Sequence, residues 1–471
     1  MRLIQTFVLL ALLAAAAAGA QERPPVIRSN VAVISIQDGE TLKKDYWTLS
    51  PEAKPDVYEA DLVEGRPHKV TFITDVDSIS FTVEEGKRYD FIIRRGEDLC
   101  HTQIVGTRFV PAAVFDRRYK AAHRGKILVE IPEVYELVNV AIAMTPTGIS
   151  DKNLVYQNSE YYARVRRWFD GHAGHPLLAE LDAALKRNPN YYSTLKMNGY
   201  AFEFDGRGRI VRSRVYDRTG FRNERSNSLS PYLARLQSFA DATGFRKFYG
   251  ENSKTYREQI AFYRDTANVS EMKRWLDKNF PASNDYDAYK IIFSPLVAYN
   301  QSSTWFESGG FKELQPHVNF PYPQDVARYF RGAKLSAQAE VVFRGNIVFT
   351  EINHGYINPE AEKYAERIAK AISNRDRWVD RAKGTGYYGG IAAFNEYMNW
   401  GLVSLRIADY APREEQDSMI ANVDRMMTER RGFPQFEAFD KFLVGLYRNR
   451  KPGRTLADLY PQIIEWFEKH N

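Results

Sequence analysis

The predicted fold depends most on one segment, Ile347–Pro359, which has the sequence IVFTEINHGYINP. Within it, Glu351 and His354 lie three positions apart, and this spacing places both side chains on the same face of a helix. A second helical pattern, Ile391–Asp409, carries Glu396 forty-two residues after His354. Carboxylates and imidazoles are side chains that bind divalent metals. The two segments therefore indicate one site shared by two helices.

This arrangement is close to a known zinc pattern, H-E-x-x-H followed by a glutamate from a later helix. In that pattern the two histidines and the later glutamate bind zinc, and the first glutamate is the general base. Here Thr350 stands in the position of the first histidine, so the chain has T-E-x-x-H. Only His354 and Glu396 would remain as ligands, and two ligands should bind zinc weakly because a catalytic zinc has three.

The chain also resembles an uncharacterised family of exported bacterial proteins that look like zinc metallopeptidases of the glutamate-zincin type. The resemblance covers most of the chain and rests on the segments Phe72–Ile79, Pro132–Val138, His175–Pro176, Ser294–Leu296 and Phe349–Pro359. It implies a zincin-like domain that hydrolyses peptide bonds by metal-activated water. It also implies Glu351 as general base, with His354 and Glu396 as zinc ligands.

Three interpretations of the T-E-x-x-H segment stay open. In the first, Glu351 becomes a ligand, and Glu351, His354 and Glu396 hold the metal together, as Glu-x-x-His pairs do in di-iron bundles. In the second, the site is degenerate and the fold serves as a peptide- or glycan-binding protein of the bacterial envelope. In the third, the spacing is a coincidence on a polar helix face. Restoring the histidine with Thr350→His should create metal affinity in a degenerate site whose scaffold survives.

Tyr387 is a further candidate, because it lies in the glycine-rich segment Gly384–Gly390 just before the Glu396 pattern. A tyrosine beside a zinc ion can stabilise an oxyanion. The alternative is an aromatic side chain that anchors a loop.

The rest of the sequence predicts an α+β protein with two parts. Residues 21–125 contain short alternating segments such as His68–Ile73 and Ser78–Val83, separated by turn residues, and this is typical of an antiparallel β-sandwich or a partial barrel. Residues 126–471 follow the helical period and predict a larger, mostly helical domain, and the family resemblance implies that this domain is zincin-like. Within it, Ala339–Phe343 is predicted to be a strand along which an extended peptide substrate would lie.

The N-terminus predicts a cleavable export signal over residues 1–20. Arg2 precedes the apolar stretch Leu3–Ala18, and Ala18-Gly19-Ala20 is a small-x-small cleavage site. The mature chain is therefore expected to begin near Gln21 and to be periplasmic or extracellular. No later stretch reaches eighteen apolar residues, so no membrane span is expected.

Charge and cysteine content bear on nucleic-acid binding and on disulfide bonds. The formal net charge is +6 and falls to +5 without Arg2. The charges are interspersed, so no nucleic-acid binding is expected. Cys100 is the only cysteine, so the chain forms no internal disulfide and must be stabilised by packing.

Overall fold

The chain forms two compact units, Met1–Pro111 and Ala112–Asn471. The computed structural model describes residues 24–53, 55–188, 190–219, 226–283, 286–330, 332–384, 387 and 390–471. The predicted export signal at residues 1–20 lies outside the described residues. The boundary between the units falls at 111/112, whereas the sequence patterns place it at 125/126.

In the first unit, apolar residues alternate with polar ones along most of the strands, so one face of each sheet is buried. The strands are β1 (Val26–Arg28), β2 (Val33–Asp38), β3 (Thr41–Thr48), β4 (Asp56–Val63), β5 (His68–Ile73), β6 (Ser78–Val83), β7 (Arg88–Arg95) and β8 (Asp98–Phe109). One sheet, with the order β3-β2-β5-β6, is antiparallel as predicted. The other, β1-β7-β8-β4, is mixed, because β1 pairs parallel to β7 and β4 parallel to β8. Both sheets contribute to one hydrophobic core.

The second unit contains a four-stranded sheet that lies among helices. Its strands are β9 (Ile127–Glu130), β12 (Ala288–Ser294), β13 (Ser302–Ser308) and β14 (Phe311–Asn319), in the order β13-β14-β12-β9. Strands β9, β12 and β14 are parallel, whereas β13 is antiparallel to β14 and forms one edge. A separate hairpin joins β10 (Phe202–Phe204) to β11 (Ile210–Arg212). A turn at residues 206–208 connects these two strands.

The α-helices of the second unit supply most of its core. In chain order they are Arg117–His123, Glu133–Ala143, Pro146–Ser150, Glu160–Phe169, Pro176–Arg187, Tyr191–Asn198, Leu233–Thr243, Phe245–Glu251, Ser253–Ala261, Val269–Asn279, Pro323–Tyr329, Ala337–Arg344, Asn346–Glu362, Ala365–Ala371, Arg375–Trp378, Gly390–Tyr410, Arg413–Arg425, Phe436–Arg448 and Tyr460–His470. The protein is therefore mixed α and β, with its helices concentrated in the second unit.

The predicted strand at Ala339–Phe343 is wrong, since these residues lie in the helix Ala337–Arg344. The Ser336 hydroxyl accepts a hydrogen bond from the Ala339 backbone N–H and caps the helix N-terminus. This local cap and tertiary packing outweigh the strand preference of Val341 and Val342. One edge strand of the sheet is β13, which the sequence patterns did not identify.

Two helices carry the residues of interest. We call Asn346–Glu362 the site helix and Gly390–Tyr410 the Glu396 helix, and they pack against each other. The site helix also packs on β13 and β14. Gly355 allows this close approach, since a Cβ atom there would lie 3.1 Å from the Leu314 side chain of β14.

Among the helices that the structure describes, none has the length and apolar character needed to cross a membrane.

Candidate functional site

The structure brings the four predicted site residues, Glu351, His354, Glu396 and Tyr387, to one region of the second unit. Glu351 and His354 project from the site helix, and Glu396 from the neighbouring Glu396 helix. Glu396 and His354 both act electrostatically on the Glu351 carboxyl, so the residues share one environment. The spacing argument from the sequence is consistent with this arrangement.

The Glu396 carboxylate is almost completely buried and has two donors. Its Oε1 atom accepts a hydrogen bond from Trp400 Nε1 at 3.0 Å and forms an ion pair with the Arg431 guanidinium. The same Arg431 nitrogen donates to the Tyr387 hydroxyl at 2.8 Å. The negative charge of Glu396, together with burial, raises the pKa of Tyr387 to about 12. Tyr387 is therefore a neutral phenol held at the Glu396–Arg431 pair.

His354 is fixed by two asparagine side chains. The Asn399 amide nitrogen lies 2.8 Å from His354 Nε2, and Asn358 Oδ1 lies 3.3 Å from Nδ1. An amide nitrogen can only donate, so His354 Nε2 is the acceptor in its contact with Asn399. The lone pair that a metal-binding imidazole would use at Nε2 is thus engaged by Asn399.

Glu351 faces the edge strand. Its Oε2 atom accepts a hydrogen bond from the Ser303 hydroxyl of β13 at 2.9 Å. Burial raises the pKa of the Glu351 carboxyl, and the charge of Glu396 adds to the rise, whereas His354, Ser303 and Arg431 oppose it. The Ser303 contact ties the site helix to β13 at the position of Glu351.

These residues do not fit a catalytic zinc ion as they are arranged. The Thr350 hydroxyl, at the position of the first ligand, donates to the Ile347 carbonyl of its own helix at 2.7 Å. Glu396 is neutralised by Arg431, whose positive charge would repel a metal cation. Among the residues that the structure describes, no group of three histidine, cysteine, aspartate or glutamate side chains is placed to hold a metal ion.

A buried lysine lies close enough for its charge to be affected by Glu351. Lys196, at the end of the helix Tyr191–Asn198, has no exposed surface and donates to the Asn300 carbonyl just before β13. Burial lowers the pKa of this ammonium group to about 7, although the charge of Glu351 opposes the shift. The lysine therefore holds the start of the edge strand beside the site.

Two cavities lie at the two ends of the contact between β13 and the site helix. Gln301 and Ile347 line the first cavity, of about 310 Å³, and Trp305 and His354 line the second, of about 240 Å³. Ser303 and Glu351 meet between them. The four steps from Gln301 to Trp305 span about 13 Å of strand. The eight from Ile347 to Gly355, which also lines the second cavity, span about 12 Å of helix. The strand and the helix therefore run in the same direction over about the same length.

The sequence patterns missed the partners that decide the chemistry of the site: Ser303, Asn399, Trp400 and Arg431. Asn399 and Trp400 could have been found, because they lie three and four positions after Glu396 on one helix face. Arg431 follows a π-helical turn, Met426–Arg430, thirty-five residues after Glu396, and no local pattern signals its contact.

Comparisons of the chain with family models, with curated proteins and with solved structures find no match.

Proposed function

We propose that this protein binds extended peptide segments along the β13 edge and does not hydrolyse them. The observation that carries the proposal is that β13, beside the site helix and between two cavities, pairs with β14 on one side and with no other strand that the structure describes. In an antiparallel pair, alternate residues direct their N–H and C=O groups away from the partner strand. Such an edge pairs with an added strand, and pockets for alternate side chains give the specificity.

The absence of hydrolysis is proposed from three contacts. Thr350 is bonded to its own helix, Asn399 engages His354, and Arg431 neutralises Glu396. The contacts of His354 and Glu396 occupy atoms that a zinc peptidase would need free, and Thr350 supplies no ligand in place of the missing histidine. A peptide on the β13 edge would therefore lie near Glu351 and Ser303 without an activated water molecule.

The test uses a mixture of acetylated, amidated heptapeptides passed over immobilised protein. The affinity of the best-retained peptide is measured by fluorescence anisotropy, and each of its backbone nitrogens is then methylated in turn. Edge pairing predicts that methylation at alternate residues lowers affinity by about tenfold, since each removes a hydrogen bond and adds a clash. Methylation at the intervening residues is the matched control and should have little effect. Loss of affinity without this alternation, or no retained peptide, would contradict the proposal.

A zinc peptidase is the second candidate, and the meeting of Glu351, His354 and Glu396 at one site favours it. Elemental analysis of the mature protein after zinc loading and exchange into metal-free buffer separates the two. Binding without catalysis predicts substoichiometric zinc and intact peptides by mass spectrometry. Zinc near one equivalent, lost in both His354→Ala and Glu396→Ala, together with chelator-sensitive cleavage, would establish the peptidase instead.

We also propose that the protein is exported, on the basis of the three-part pattern in residues 1–20. Fractionation of the producing cells and N-terminal sequencing test this. Protein in the periplasm or medium that begins at or near Gln21 is expected. An intracellular protein that retains Met1 would contradict export.

A further inference from the structure

The cavity lined by Gln301 and Ile347 has a wall with many aromatic side chains. Its lining includes six aromatic side chains: Tyr156, Tyr299, Tyr322, Tyr329, Phe343 and Trp400. The volume of about 310 Å³ is near the lower end of the range of ligand pockets, which is roughly 300–1,000 Å³. A cavity of this size suits one large side chain better than an extended ligand.

The charges of this aromatic cavity are mainly positive. Arg344, Arg430 and Arg431 line it, against one carboxylate, Asp325. Two of the guanidinium groups lie over ring faces, Arg431 at 5.4 Å from the Trp400 centroid and Arg430 at 5.8 Å from that of Tyr329. Such a wall attracts the π-electrons of an aromatic ring and repels a lysine or arginine side chain.

The cavity is connected to the centre of the site. Trp400 and Arg431 line it, and both also donate to Glu396 Oε1. Gln301, Ser303 and Trp305 are two positions apart in turn. Their side chains therefore point to the same side of an extended chain. A peptide paired with β13 would thus present an alternate side chain to this cavity.

We propose that the aromatic cavity receives an aromatic side chain, tryptophan, tyrosine or phenylalanine, from the peptide that lies along β13. This inference rests on the proposed peptide-binding function, and it names the class of peptide. The peptide has an uncharged aromatic residue at one fixed position and disfavours lysine and arginine there.

The test compares two forms of the best-retained heptapeptide, one with its aromatic residue and one with alanine at that position. In the parent protein the alanine form should bind about tenfold more weakly, because a buried ring is lost. Ile347→Trp narrows the cavity from its rim and should abolish this difference. The matched control is Ile149→Trp, which makes the same change at an isoleucine that is 40% exposed and does not line either cavity. It should keep the tenfold difference.

A second variant keeps the inference testable if Ile347→Trp does not fold. Tyr299→Ala removes one aromatic wall at a side chain that is 53% exposed, so the fold should persist. It should also reduce the difference between the two peptides. An unchanged tenfold difference in both variants, or a lysine form that binds as well as the aromatic form, would overturn the inference.

A small ring compound separates this inference from the proposed function. N-acetyltryptophanamide should bind the parent and lose affinity in Ile347→Trp. If it does so while no peptide shows the alternating N-methyl pattern, the cavity assignment stands and peptide binding along β13 fails. If peptides show that pattern but no aromatic preference, the cavity assignment fails and the proposed function stands.

Discussion

Arg431 carries the positive charge that neutralises Glu396 at the site. Its partner Glu396 has a side chain only 4% exposed, whereas that of Arg431 is 30% exposed. Arg431→Met would leave a buried carboxylate with Trp400 as its remaining donor among the described residues. Breaking a fully buried pair costs about 3–5 kcal/mol. Because Arg431 is partly exposed, we expect a smaller loss in the free energy of unfolding, about 2–3 kcal/mol.

Urea denaturation at neutral pH measures this effect. The double variant Glu396→Gln, Arg431→Met should be more stable than Arg431→Met alone, because the uncompensated charge is gone. If the effects of Glu396→Gln and Arg431→Met on the free energy of unfolding simply add in the double variant, the two side chains do not stabilise each other.

Glu136 should give the protein a pH-dependent stability. This carboxyl is fully buried in the helix Glu133–Ala143 and accepts a hydrogen bond from Tyr161 at 2.7 Å. Burial raises its pKa from 4.5 to about 8. The folded state then holds a proton that the unfolded state releases, so stability is full below pH 4.5 and falls as pH rises toward 8. The loss is on the order of 4 kcal/mol, at about 1.4 kcal/mol per pKa unit.

Chemical denaturation of Glu136→Gln between pH 5 and 8 tests this. The variant should lose stability with pH less steeply than the parent. Glu258→Gln, at an exposed glutamate in the helix Ser253–Ala261, is the control and should follow the parent. Parallel curves for Glu136→Gln and the parent would contradict a protonated Glu136.

At this scale, the sequence could predict which residues gather but not what they contact. Glu351 and His354 share a helix face by spacing alone, and Glu396 was found by its helical pattern. The ion pair with Arg431 depends on tertiary packing that brings together residues thirty-five positions apart. The contact of Ser303 with Glu351 spans forty-eight positions and needed a strand that was not predicted.

Among the secondary-structure elements, the helix pair Gly390–Tyr410 and Phe436–Arg448 offers a sharp test of packing. Gly401 faces the second helix, and a Cβ atom there would lie 2.6 Å from Leu443 Cδ2 and 3.2 Å from Phe439 Cε1. Alanine gains about 1 kcal/mol of helix propensity, but overpacking of a core costs about 1–3 kcal/mol. We expect Gly401→Ala to lower the free energy of unfolding by about 1 kcal/mol.

Gly445, in the helix Phe436–Arg448, is the matched control for this substitution. A Cβ atom there would meet nothing within 4 Å. Gly445→Ala should therefore stabilise the protein by about 0.5–1 kcal/mol. Equal effects of the two substitutions in urea denaturation would show that the helices do not approach closely at Gly401.

Strands with one polar face could be predicted from the sequence, whereas strands with both faces buried were missed. Strands β5 and β6 match the predicted segments because one face of each is polar, which produces the alternating pattern. All seven residues of β12 are buried, so no alternation signals a strand. In β14, Pro316 and the buried polar residues Glu313, Gln315 and His317 hide the strand pattern. The central sheet of the second unit was consequently missed, and with it the edge strand.

At the scale of the whole molecule, each compact unit has its own hydrophobic core. The first core includes Phe72, whose ring lies 4.9 Å from that of Phe91. The second includes Phe394, whose ring lies 5.1 Å from that of Phe467. The described cysteine, Cys100, is buried and unpaired, so packing rather than a disulfide stabilises the first unit. Units with separate cores are expected to unfold separately.

Differential scanning calorimetry should therefore show two transitions, and one core substitution in each unit assigns them. Phe72→Ala and Phe394→Ala each remove a fully buried ring, a change that costs about 3–5 kcal/mol. Phe72→Ala should lower the temperature of one transition and leave the other in place, and Phe394→Ala should do the reverse. If either substitution lowered both transitions equally, the two units would unfold as one cooperative structure, because the loss of either core would then be felt throughout the chain.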